Sequence, residues 1–311
     1  LIKRDFLYPF FGKIIVHLSS EIVCILKQLI FNMAIEDQHS YPQRFERRLS
    51  LPNSREISEM VDKLLAGDRK AAAKLMTLVE NEEAIAKSIT KKLEPHIGRG
   101  YNIGVTGPLG AGKSTIIDAI VKEYRNKKQK VGVVAVDPSS EFTGGALLGD
   151  RIRQKSSIGD KEVFFRSIST RGCLGGLSRC ANDVANILDA YGSNIILIET
   201  IGAGQSDINV AKIAQTTILV LTPAVGDDIQ LMKSGIIEIA DIFIINKADL
   251  PGSEILEAML KASPPKNSWN RPVIKTIARK GEGILKLIDA IEQHRKYIKL
   301  KSIKKSKKKA L

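Results

Sequence analysis

The sequence reads as an α/β fold, a mostly parallel sheet with helices on both faces, preceded by a small helical segment. From residue 101 onward, short β-branched runs alternate with stretches of helical length, the pattern of a parallel sheet wound with helices. Several of the runs are apolar throughout, such as "NIILIE" and "TILVL", as strands are when both sheet faces are covered. The expected strands are 101–106, 131–136, 163–168, 194–199, 217–222, 241–246 and 272–277. Helices are expected over 113–127, 175–190, 227–239, 253–262 and 283–296. No internal repeat is present.

The order of segments follows from composition. Residues 1–34 read as an extension outside the fold, of which 1–32 read as upstream sequence in frame ahead of Met33, with a weak signal or amphipathic anchor as the alternative. Their apolar runs are broken by Lys13, His17, Glu21 and Lys27, so none reaches the ~20 residues of a membrane helix. Residues 40–53 read as a linker. Residues 35–97 form an N-terminal helical segment, because Ile57, Met60, Val61, Leu64 and Leu65, then Ala71, Leu75, Leu78 and Val79, recur at helical spacing. Gly67 followed by Asp68 supplies a helix stop and a new N-cap. The main domain spans 98–296, and 297–311 is a basic tail.

Formal net charge is +14. Residues 295–309 hold nine Lys/Arg and no acid, which leaves +5 for the rest. Such a run reads as a solvated, disordered tail, with docking on RNA or an acidic membrane as the minority alternative, so neither a nucleic-acid nor a membrane partner is the leading expectation. Cys24, Cys173 and Cys180 form no CxxC pair, which points to a reducing, cytoplasmic setting rather than a disulfide framework.

"GPLGAGKST", Gly107–Thr115, matches the G-x-x-x-x-G-K-[ST] phosphate loop between an expected strand and an expected helix. Gly107, Pro108, Leu109, Gly110, Ala111 and Gly112 form the nucleotide-binding loop, whose backbone N–H groups, Pro108 having none, can turn inward on phosphate oxygens, and the helix start adds its own. Lys113 brings a point charge to the β- and γ-phosphates and is the first catalytic candidate. Ser114 offers a hydroxyl to Mg²⁺, and Thr115 completes the motif.

"IFIINKAD", 242–249, is an apolar strand ending in Asn246, Lys247 and Asp249, about 130 residues beyond the phosphate loop. Guanine presents two donors on one edge, and one carboxylate accepts both. Adenine has no such pair, so Asp249 selects GTP and GDP over ATP. Asn246 can bond N7 and tie loops together, and the Lys247 stem can lie over the base. In "IARKGEGI", residues Ile277, Ala278 and Arg279 follow the next strand, and a backbone N–H from Ala278 suits guanine O6.

Glu199, at the end of "NIILIE", stands where a carboxylate faces Mg²⁺ in such proteins, usually through water. Gly202 can give its N–H to the γ-phosphate. "VDPSSEFTGGALLGDR", 136–151, carries Asp137 and Asp150 around a glycine pair. A loop whose acids meet the metal only beside a γ-phosphate is ordered by GTP and released by GDP. Residues 137–151 thus read as a first switch and 200–206 as the start of a second, the alternative being an Asx-type turn with two capping acids.

Together, "GPLGAGKST", "AVDPSSEFTGGALLGDR", "RGCLGGLSR", "ETIGAGQSD", "GDDIQLMKSGIIEIADIFIINKAD" and "ARKGEGI" resemble the MeaB/MMAA/ArgK family from about 55 to 296. The resemblance implies a P-loop GTPase that chaperones a cobalamin-dependent acyl-CoA mutase of the methylmalonyl-CoA mutase type, gating cofactor loading and protecting the enzyme. It implies a Mg²⁺ site of Ser114, Asp137, Asp150 and Glu199, with Asp137 and Asp150 also catalytic candidates, and a mutase-facing loop at 223–235. Gln205 is a candidate for placing the attacking water, and equally for a mutase contact or a helix cap. Family members continue past "IEQHRK" into a dimerisation arm. A lysine tail stands in its place here, which leaves a homodimer open. Cys173 also departs from the usual small or polar residue. The alternative reading is a metal-insertion GTPase serving a different metalloenzyme, for which the chain lacks a His-rich or paired-Cys segment.

Overall fold

The computed structural model describes residues 51–137, 159–169, 177–200, 202, 205–223 and 235–309. Asp150 with nearly all of the first switch, Cys24, Cys173 and the loop 224–234 lie outside the described residues, as does the side chain of Asp137.

Three helices come first: α1 (Ser54–Leu65), α2 (Arg69–Asn81) and α3 (Glu83–Leu93). Asn53 starts α1 by accepting from the N–H groups of Arg55 and Glu56, both at 3.0 Å, while Glu56 accepts from Asn53 N–H at 2.8 Å. Such reciprocal capping contributes about 1 kcal/mol. Asp68 caps α2 through Lys70 N–H at 2.7 Å. Each helix buries one stripe, Ile57/Met60/Val61/Leu64 on α1 and Leu75/Met76/Val79 on α2 among them.

The sheet contains β1 (Tyr101–Thr106), β2 (Val131–Asp137), β3 (Val163–Ser169), β4 (Ile195–Glu199), β5 (Thr216–Leu221), β6 (Ile242–Asn246) and β7 (Val273–Thr276). Their order is β3-β2-β4-β1-β5-β6-β7, and every pairing is parallel. All seven lie within two residues of the expected runs. The connecting helices are α4 (Lys113–Asn126), α5 (Leu177–Ala190), α6 (Gln205–Ile213), α7 (Ile236–Ile239), α8 (Ser253–Lys261) and α9 (Ile284–Lys309).

The pleat divides each strand between two layers. Ile195 and Leu197 of β4 join the core under α4 and α9, while Ile196 and Ile198 join the core under α5 and α1–α3. That two-sided burial is why β4 is apolar at consecutive positions. Arg166 of β3 ties α2 to the sheet through Glu80 at 2.6 Å. Among the described residues no helix is long and apolar enough to cross a membrane.

Three expectations need correction or completion. Helix α6 is not among the expected helices, and its start overlaps the end of the expected second switch, 200–206. Of the helix expected over 227–239, only the end, α7, falls within described residues. The tail is not disordered: α9 runs unbroken to Lys309. Its first half is docked through buried Leu287, Ile288 and Ile291, so extension needs no fresh nucleus. Lysine is a good helix former and complements the negative end of the helix dipole.

Candidate functional site

The site lies beyond the carboxyl ends of the strands, where ligands bind in open α/β sheets. β1 ends at Thr106, the phosphate loop follows, and Gly112 is the N-cap of α4. Gly112 has φ +94°, and a Cβ there would sit 2.3 Å from Asn246 Nδ2. The loop therefore accepts only glycine at this point, where Asn246 at the end of β6 closes on it.

Lys113 is buried at 6 % exposure. Its ammonium donates to the carbonyls of Gly107 at 2.9 Å and Pro108 at 3.0 Å. Gly202 closes over the same place: with φ +84°, a Cβ there would lie 2.2 Å from the Gly107 carbonyl oxygen and 2.8 Å from Lys113 Nζ. The start of the second switch thus sits on the phosphate loop and its lysine. Ser114 donates its hydroxyl to Glu199 Oε1 at 2.6 Å, so the expected hydroxyl and carboxylate metal ligands converge on one point. A hard oxygen pair of this kind suits Mg²⁺. Thr200 carries its hydroxyl on to Thr106 at 3.1 Å.

The residues expected to read the base form one knot. Asn246, 3 % exposed, donates Nδ2–H to Ala111 O at 2.8 Å. Its Oδ1 accepts from Thr276 Oγ1 at 3.1 Å and from Ala278 N–H at 3.2 Å. The Ala278 N–H expected to face guanine is thus engaged with Asn246 in this structure. Lys247 holds φ +54°, a left-handed conformation that costs about 1 kcal/mol for a residue with a Cβ, and its Nζ reaches Gly110 O at 3.0 Å. Lys247 and Gly110 both line a cavity of about 350 Å³, together with Thr115, Asp249, Leu250, Ile277 and Arg279, among others. Its size suits a nucleoside. Leu250 was missed by sequence reasoning; its place directly after the N-K-A-D run was the available signal. Leu109, at the loop tip, is 80 % exposed and does not line this cavity.

A larger cleft of about 410 Å³ lies at the opposite end of the strands, beside Arg99, Asp189 and Asn194. The Asp189 carboxylate there is occupied by the N–H groups of Gly98 and Gly100, at 2.5 and 2.7 Å. It holds none of the phosphate- or base-reading residues.

Comparison with known proteins agrees with this geometry. The family described as "Methylmalonyl Co-A mutase-associated GTPase MeaB" matches residues 72–311. A protein of Pyrococcus horikoshii named as a GTPase is 49 % identical over 249 residues, covering 78 % of each chain. A Mycobacterium bovis protein, also named as a GTPase, is 36 % identical over 244 residues, covering 75 % of this chain and 73 % of that one. The crystal structure of an LAO/AO transport system kinase superposes with a TM-score of 0.61 at 25 % identity, covering 84 % of this chain and 86 % of that chain. With the family model matching more than half of the chain and relatives of this identity and coverage, the chain belongs to the MeaB family of P-loop GTPases.

Proposed function

We propose that the chain is a cytoplasmic GTP-hydrolysing chaperone that gates cobalamin cofactor loading and protects a methylmalonyl-CoA mutase-type enzyme. The family match over residues 72–311 supports the client. One observation carries the gating: Gly202 packs against the Gly107 carbonyl and Lys113 Nζ. A γ-phosphate entering beside Lys113 must engage the same backbone, so its arrival or loss is felt by the segment that leads into α6.

Each residue has a physical role in this reading. The Lys113 ammonium leaves two carbonyl partners to neutralise charge developing on the phosphates. Asp249 accepts the two donors of the guanine edge. Asn246, with one amide hydrogen on Ala111 O, has a second to offer N7. Ile277, Ala278 and Arg279 wall the base. Ser114 and Glu199 would hold Mg²⁺, with Asp137 and Asp150 brought in by the first switch; when bound, the ion neutralises phosphate charge.

The test is GTP hydrolysis by the full chain with and without a cobalamin-dependent methylmalonyl-CoA mutase, with ATP as control. A slow GTP-only rate that rises with mutase is expected. Equal turnover of ATP would overturn the base assignment, and a GTP rate indifferent to mutase would overturn the client.

A further inference from the structure

We infer that the exposed end of α9 is a docking element for an anionic lipid surface. Up to Ile298 the helix belongs to the body. The His294 ring lies 4.8 Å from that of Trp269, Tyr297 lies 5.2 Å from Trp269, and Arg295 covers Tyr101 at 4.7 Å. Beyond Ile298 the helix leaves the body. Lys299, Leu300, Lys301, Ser302 and Ile303 are all exposed, Leu300 by 61 % and Ile303 by 46 %.

Two properties of this segment need a partner. Residues 299–309 hold seven lysines and no acid, and in the sequence Lys301 and Lys304 are three apart, while Lys301 and Lys305, and Lys304 and Lys308, are four apart. Like charges at those spacings oppose the helix, and an anionic surface relieves them. Leu300 and Ile303, one turn apart, add apolar surface between the charges. A basic helix with apolar side chains suits the headgroup–acyl boundary.

Nucleic acid uses less of what is present. Its backbone has no use for Leu300 or Ile303, and the aromatic ring on this stretch of helix, Tyr297, already stacks on His294 and packs tilted against Trp269. A second copy of the helix would bring like charge against like charge.

The placement is compatible with activity. His294 meets Thr216 at the start of β5 through a 2.8 Å hydrogen bond, so α9 exits at the amino ends of the strands. The nucleotide cavity is at their carboxyl ends and would face away from a lipid surface.

The experiment is co-sedimentation of the full chain with phosphatidylcholine vesicles, with and without phosphatidylglycerol, GTP hydrolysis serving as the control for intact fold. Binding only to the anionic vesicles is expected, weakening as salt rises. Each lysine near such a surface is worth about fivefold in affinity, so K299E/K301E should weaken binding at least tenfold without changing basal hydrolysis. L300S/I303S, which leaves every charge in place, should also weaken it. Equal binding to both vesicle types, or full binding by L300S/I303S, overturns the proposal. So does tighter binding to an RNA homopolymer than to anionic vesicles, or self-association that the K299E/K301E pair abolishes.

Discussion

Asn246→Ala tests the arrangement at its centre. The wild-type amide joins three segments through Ala111 O at 2.8 Å, Thr276 Oγ1 at 3.1 Å and Ala278 N–H at 3.2 Å. Thr276 and Ala278 are buried, at 1 % and 9 % exposure. A hydroxyl can turn to another acceptor, but a backbone N–H cannot. Removing the amide therefore charges most of the orphan cost, about 2 kcal/mol, to Ala278, with about 1 kcal/mol for each of the other two bonds. Water entering the vacated space recovers part of this, so a loss of about 2–4 kcal/mol is expected without nucleotide. Urea unfolding should show a lower midpoint at an unchanged slope. Thr276→Val alone should cost about 1 kcal/mol, and that cost should vanish in the Asn246→Ala background because the partner is already gone. An Asn246→Ala protein within about 0.5 kcal/mol of wild type would show that the amide does not tie the loops. Additive effects of the two substitutions would show the same.

Three further outcomes follow from the geometry. Asp249→Ala, at an exposed position, should leave unfolding unchanged yet weaken GTP binding by at least about a hundredfold through two lost charge-assisted bonds; calorimetry showing undiminished preference for GTP over ATP would remove Asp249 from base recognition. Gly202→Ala places a Cβ 2.2 Å from the Gly107 carbonyl and forces a φ of +84° on a residue with a side chain, so single-turnover GTP hydrolysis should fall at least about tenfold, and an unaltered rate would separate Gly202 from the phosphate site. Burial holds the His294 imidazole below its usual pKa, with Asp241 opposing and Lys266 assisting. The unfolded chain then binds the extra proton first, so stability should be full above about pH 6.5 and fall as pH drops from there through the folded value. His294→Gln should flatten that slope in thermal melts across about pH 5–7, and a wild-type slope in the variant would assign it to other groups.

Local chemistry made much of this protein readable from its chain. The seven strands, the Gly67–Asp68 helix break, the phosphate loop and the N-K-A-D run all depend on periodicity or turn residues within a few positions. Helix α6 escaped because its sequence, "QSDINVAKI", is short and its apolar positions give only a weak helical stripe. The end of α9 was misread because charge composition favours a solvated coil, whereas a docked first half lets the helix propagate.

What remained beyond sequence reading is contact between segments far apart in the chain. Nothing near residue 246 indicates that its amide holds both Ala111 and Ala278, and nothing near Gly202 shows that it must lack a side chain because Gly107 lies against it. The motifs name the nucleotide because backbone N–H groups, a lysine and a carboxylate recognise it by local chemistry. The parallel sheet decides how those groups meet, since stacking β1, β4, β5 and β6 side by side brings their carboxyl ends, and the loops that follow, to one edge.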